Sequence, residues 1–194
     1  LFGAVFFWKK VIPAKPCMFN KLIFFLFFVF IPPKAINLVF LLIVNRLNFN
    51  LTNDQKKSLA DISIDLKSNS KMFRLLQGDV GSGKTIVALI SALSVISSNF
   101  QVALMAPTEI LARQHYTLAK KLFPKNILIE LLSSKSENVN KKRIVNDLKN
   151  NKIKMVFGTH AIFQKKVIFN NLGYIIIDEQ HKFGVRQRKL LSDK

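Results

Sequence analysis

Residues 78–85 read GDVGSGKT, and no other stretch restricts the fold of this chain as tightly. Three of the eight positions are glycine, which permits backbone turns closed to other residues. The stretch follows an apolar run, 72–77, and precedes a segment with helical spacing, 85–97. It matches G-x-x-x-x-G-K-[ST] in the strand–loop–helix setting that such a motif requires. A turn of this kind points successive backbone N–H groups inward, and the helix start behind it adds partial positive charge, so the pair makes a phosphate cradle. Gly78, Asp79, Val80, Gly81, Ser82, Gly83, Lys84 and Thr85 are therefore assigned to nucleotide binding. Lys84 is expected to reach the β- and γ-phosphates and to act in catalysis, and the Thr85 hydroxyl to ligate Mg2+. ATP and Mg2+ are the expected ligands.

The rest of 48–194 alternates. Strand-like apolar runs occupy 72–77, 101–106, 127–132, 154–157 and 173–177, and helix-spaced segments occupy 85–97, 109–123 and 138–150. Such alternation predicts βαβ units, hence an α/β fold with a mostly parallel sheet and helices on both faces. Val87, Ala88, Ile90 and Leu93 read as helix core. Ligands in such sheets bind beyond the carboxyl ends of the strands, and the second strong motif falls there. Residues 174–179, YIIIDE, form an apolar strand ending in two carboxylates. Paired acids after an apolar run are often no more than a solvated strand end. Lying 93 residues after Thr85 in an α/β pattern, these two read instead as catalytic. Asp178 is assigned to Mg2+ through water, and Glu179 to orienting and deprotonating the attacking water. Gln180 and His181 follow directly, and His181 is placed to sense the γ-phosphate and couple that state to a nucleic-acid site.

Composition adds a partner and a puzzle. Thirty basic against eleven acidic residues give a net charge of +19. A polyanion such as nucleic acid is the first physical reading of that charge. Compositional drift is the other, since lysine outnumbers arginine 24 to 6 and asparagine, isoleucine and phenylalanine are abundant. The single cysteine, Cys17, excludes an internal disulfide and fits a reducing compartment. All the acidic residues lie between Asp54 and Asp193, whereas residues 1–50 hold 11 of the 18 phenylalanines. The boundary falls near residue 48, setting 1–47 apart as an apolar, Phe-rich segment. Apolar runs at 22–31 and 35–44 flank Pro32, Pro33 and Lys34. Together they have the length of a membrane span, but each half alone is too short to cross. Three readings of 1–47 stand: a membrane-associated segment built on 22–44, a signal peptide without a clear cleavage site, or out-of-frame or decayed coding joined to the domain behind it.

From about Phe49 to Arg188 the chain resembles superfamily 2 helicases, and within them the RecG family of branched-DNA translocases. Phe49, Leu51, Thr52 and Gln55 are similar to the segment ahead of the motor domain, which implies that Gln55 reads the adenine edge. Residues 77–85 resemble motif I, 106–115 (APTEILARQH) motif Ia, 158–163 (GTHAIF) a later DNA-contacting motif, and 178–188 (DEQHKFGVRQR) motif II with its extension. Transcription-repair coupling factors share part of this set, but Ser82, Pro107-Thr108-Glu109 and DEQH favour the RecG family; PriA-type helicases are further away. The resemblance implies a RecA-like P-loop domain and an ATP-dependent DNA helicase acting on branched DNA, forks and Holliday junctions. It also implies a monomer in the bacterial cytoplasm. Pro107, Thr108, Gly158 and Thr159 are expected to contact DNA, with backbone N–H groups and the two threonine hydroxyls binding phosphates without reading bases. For His115 and His160 a structural role stands equally.

Against that pattern the chain stops at Lys194, shortly past motif II. The expectation is a RecA-like domain truncated after the Walker B strand, without the family's next strand or the second motor domain that supplies arginine to the γ-phosphate. The next strand lies between the P-loop strand and the strand ending at Asp178, so its loss predicts a central gap and an unstable chain. The alternative function is a catalytically inert ATP- and DNA-binding motor half, from a decayed or split gene.

Overall fold

A computed structural model describes residues 2–8, 46–47, 49–68, 72–133 and 138–178 of the chain. In chain order the elements are β1 (Phe2–Trp8), α1 (Asn53–Lys67), β2 (Met72–Gly78), α2 (Lys84–Ser97), β3 (Gln101–Met105), α3 (Glu109–Leu122), β4 (Ile129–Leu132), α4 (Asn138–Lys149), β5 (Met155–Gly158), a 3-10 turn (His160–Phe163) and β6 (Leu172–Ile177). Each strand and helix expected from the sequence is present, with ends moved by two residues or fewer.

The elements make one six-stranded sheet in the order β2-β1-β6-β3-β5-β4. β6, β3, β5 and β4 are parallel to one another. The central strands β3 and β5 are buried along their whole length, as expected for parallel strands covered on both faces. α2 is apolar almost all round, with ten buried side chains, so it lies inside rather than on the surface. Its serines return their hydroxyls to the helix, as in Ser91 Oγ to the Val87 carbonyl at 2.8 Å, and so bury no unsatisfied polar group.

One core gathers α1, α2 and α3 against the sheet through Ile62, Leu89, Leu93, Leu104, Phe157 and Ile176. A second packs α4 and the 3-10 turn on the opposite face through Met105, Ile144, Leu148, Ile162 and Ile177. At the amino ends of the strands, Gln101 is fully buried yet satisfied. Its Nε2 donates to the Leu148 and Ile153 carbonyls, each at 2.8 Å, and its Oε1 accepts from the Asn171 amide at 2.9 Å. One side chain thus ties α4, β5 and the entrance to β6 to β3.

The sequence differs from the structure at two elements. α1 carries few apolar residues, but Thr52 and Gln55 close a reciprocal capping box at its start, which satisfies two helix-end donors at once. Arg74 on β2 then anchors it through Asp65 at 2.7 Å. The other difference lies in the sheet's centre, where the sequence predicts a gap between β2 and β6. Residues 2–8 occupy that slot as β1, antiparallel to both neighbours, so that Val5 faces Leu75 on one side and Ile177 on the other. The ladder meets the hydrogen-bonding demand of the two flanking backbones, which is the physical reason a strand belongs there. Residues 9–45, including the apolar runs of 22–44, lie outside the described residues, and among those described no helix is long and apolar enough to cross a membrane.

Candidate nucleotide and nucleic-acid site

Because β2 and β6 both run antiparallel to β1, they point the same way, and their carboxyl ends share one edge of the sheet with those of β3 and β5. Every described residue assigned a role beyond a strand sits on that edge. The loop after β2 turns through Gly81 (φ 81°) and Gly83 (φ 80°), left-handed conformations that favour glycine. Ser82 N–H closes the turn on the Asp79 carbonyl at 3.2 Å. Gly83 is the N-cap of α2 and offers no side-chain acceptor to it; the Ile86 amide donates to the Gly83 carbonyl at 3.0 Å, and the Lys84 and Thr85 amides at the helix start are left without a side-chain cap. Helix-start amides without a cap suit an anion.

Lys84 spans the hollow. Its Nζ donates to the Gly78 carbonyl at 2.9 Å and the Asp79 carbonyl at 2.7 Å. An ammonium held at the centre of the loop is where a phosphate oxygen needs its counter-charge. Gln55 supports the loop from outside: its Oε1 accepts from the Thr52 amide at 3.0 Å, and its Nε2 donates to the Ser82 carbonyl at 2.8 Å. A side chain at Gly83 would collide with this amide. Both polar atoms of Gln55 are thus engaged with the helix cap and the loop.

Asp178 follows the last residue of β6, two strand spacings or about 10 Å from the line of β2. Its amide donates to the Met105 carbonyl at 2.9 Å. Its Oδ2 lies 2.7 Å from Nε2 of His115 on α3. β6 is held against α2 by Tyr174, whose hydroxyl donates to Ser91 Oγ at 3.3 Å. Burial pushes the Tyr174 phenol well above its usual range. Glu179, Gln180 and His181 lie outside the described residues, as does the extension to Arg188.

The donor set fits a magnesium ion shared with phosphates. Thr85 and Asp178 offer oxygen ligands, and among the described residues no cluster of three His, Cys, Asp or Glu side chains forms a protein cage. Mg2+ is commonly held by one or two protein oxygens together with substrate phosphates.

The remaining assigned residues lie on the adjacent strand ends. Thr108 is the N-cap of α3, its Oγ1 accepting from the Leu111 amide at 3.3 Å; the hydroxyl keeps its own hydrogen to donate. Thr159 precedes the 3-10 turn and makes no capping bond. Gly158 is buried, and a Cβ there would stand 2.5 Å from the Leu132 carbonyl oxygen. Its carbonyl accepts from the Ala106 amide at 2.9 Å, so Gly158 joins the two loops rather than offering a side chain. His160 is exposed. Pro107 and Thr108 thus stand next to Thr159 across neighbouring parallel strands.

The family model of the DEAD/DEAH box helicase matches residues 52–193. The chain belongs to that family. Within it, the chain is 50% identical over 153 residues to the ATP-dependent DNA helicase RecG of Borreliella burgdorferi, covering 78% of this chain and 22% of that protein. It is 49% identical to the RecG of Aquifex aeolicus, over 78% of this chain and 19% of the relative. A solved structure of RecG bound to a three-way DNA junction matches with a TM-score of 0.64 and 45% identity, covering 68% of this chain and 18% of that one. The chain therefore spans about a fifth of the length of the curated relatives it matches.

One contact was not legible in the sequence: the pairing of His115 with Asp178, which bridges 63 positions. The Thr52–Gln55 cap, by contrast, is written in its spacing, T-x-x-Q ahead of a helix.

Proposed function

We propose that this chain is the ATP-binding motor portion of a RecG-type ATP-dependent DNA helicase or translocase acting on branched DNA in recombination and repair. The observation that carries the reading is the convergence of the 78–85 loop, Asp178, Thr108 and Thr159 on one sheet edge, in a chain 50% identical to a RecG protein over 153 residues. In this reading residues 48–194 are the ATP-binding domain, and the strand-end threonines hold phosphates of one DNA strand irrespective of sequence. A working monomer in the bacterial cytoplasm accords with the same likeness.

In mechanism, the amides of Gly81, Gly83 and the α2 start would hold the β-phosphate, and Lys84 would exchange its carbonyl partners for phosphate oxygens. Gln55 stands beside the loop and would exchange one amide bond for the adenine edge. Mg2+ bound by Thr85, and by Asp178 through water, would supply charge neutralisation on the phosphates. Glu179, next in the chain after Asp178, would take the proton of the attacking water. Gln180 and His181 would relay the nucleotide state towards the DNA side.

The test is ATP hydrolysis by the purified chain, with and without a three-way DNA junction. The reading expects hydrolysis that rises with the junction and is lost in Glu179→Gln. A rate indifferent to both DNA and that substitution would overturn it.

A further inference from the structure

We infer that His115 is a positioning residue for Asp178: its imidazole fixes the rotamer of the magnesium-side carboxylate from helix α3. This deepens the proposed function and rests on the reading of Asp178 as the residue that faces the metal.

The contact is made by a well-enclosed side chain. His115 is 8% exposed, one of only four buried polar or charged residues among those described. It lies on the inner side of α3 with Ala112, Ala119 and Leu122. A buried imidazole needs a partner for its polar edge, and Asp178 Oδ2 at 2.7 Å supplies it. An ionised carboxylate only accepts, so Nε2 carries the hydrogen and donates. Such a bond is charge-assisted and short, hence stiff.

The geometry divides the carboxylate into two halves. Oδ2 is taken by His115, while Oδ1 has no protein partner among the described residues. The Asp178 backbone is fixed independently, by its amide on the Met105 carbonyl. With the main chain and one oxygen pinned, the free oxygen has a single direction left to it. Outer-shell partners of metal-binding groups work in this way, and their loss commonly costs about tenfold or more in metal affinity. His115 also sits on the helix whose first turn is capped by Thr108. The carboxylate is thereby braced by the same rigid element that carries the strand-end loop of residues 107–108.

The test is a Mg2+ titration of mant-ATP binding to the full chain, comparing wild type with His115→Phe, His115→Gln, Asp178→Asn and Lys84→Ala. Phenylalanine keeps the ring and removes the donor; glutamine keeps a donor. The expected result is a rise of about tenfold in half-saturating Mg2+ for His115→Phe, approaching that of Asp178→Asn. Substantial recovery is expected in His115→Gln, with Mg2+-free nucleotide affinity unchanged in both His115 variants. Nitrogen NMR of the wild-type imidazole supplies a readout that needs no variant to fold, and Nε2 should carry the hydrogen. An unchanged Mg2+ requirement in His115→Phe, or a bare Nε2, overturns the positioning role alone. Failure of wild type to bind mant-ATP, with Lys84→Ala indistinguishable from it, overturns the nucleotide reading and this role together.

Discussion

Replacing Gln101 by leucine keeps the volume of a fully buried side chain and removes all three of its hydrogen bonds. The consequences for the three partners differ. The Leu148 carbonyl retains the Asn151 amide at 3.1 Å, so it loses only a second donor. The Ile153 carbonyl, in the interior, and the Asn171 amide, part-buried, lose their side-chain partner. Each buried group left unmade costs about 1–3 kcal/mol, against which the leucine gains part of its burial energy. The net expectation is a loss of about 3 kcal/mol, a fall in melting temperature on the order of 10 °C for a chain of this size. Urea unfolding followed by far-UV circular dichroism reads it directly. Gln101 is at the amino end of β3, opposite the loop edge, so mant-ATP affinity measured well below the melting temperature should not change. A loss under about 0.5 kcal/mol would mean that these groups find water or other partners unaided and that Gln101 is not what satisfies them.

Three further outcomes follow from the geometry. Proline at Val5, between Leu75 and Ile177, takes an amide out of a central strand and should lower stability by on the order of 3 kcal/mol in the same unfolding assay; an unchanged midpoint would mean that residues 2–8 do not fill the slot in solution. Tyr174 has a folded-state value raised from 10.0 by burial, so the folded chain keeps a proton that the unfolded chain releases. Its contribution is intact below pH 10 and falls as the pH rises beyond it, by up to about 1.4 kcal/mol per unit. Tyr174→Phe should flatten that part of the stability–pH curve relative to wild type, and parallel curves would count against it. Thr159→Val removes a hydroxyl that makes no capping bond and should weaken single-stranded DNA binding by roughly fivefold for any sequence; a change confined to some sequences in fluorescence anisotropy would exclude a phosphate contact.

Most of the fold was legible because the interior strands and α2 are apolar without interruption, and only covered elements read that way. The loop was legible because its glycines fall where positive φ is needed, at Gly81 and Gly83. α1 was not, since only Ile62 and Leu66 are buried on it, with Leu59 partly so, among mostly polar residues; its signal is the cap at Thr52 and Gln55. β1 was not, because nothing local says that an N-terminal strand will pair in the centre of a sheet with partners about 70 and 170 residues on. His115 could be placed on a helix from sequence, but its partner is set by how α3 crosses β6, which only packing decides.

In the proposed function, the loop of residues 78–85 and the start of α2 bind a nucleotide through Lys84. Equilibrium titration of mant-ATP against wild type and Lys84→Ala measures it most directly. Saturable binding is expected, weakened by at least about tenfold when the ammonium is removed, the worth of one charge-assisted contact to phosphate. Equal affinity in the two proteins, or no saturable binding by either, would contradict it.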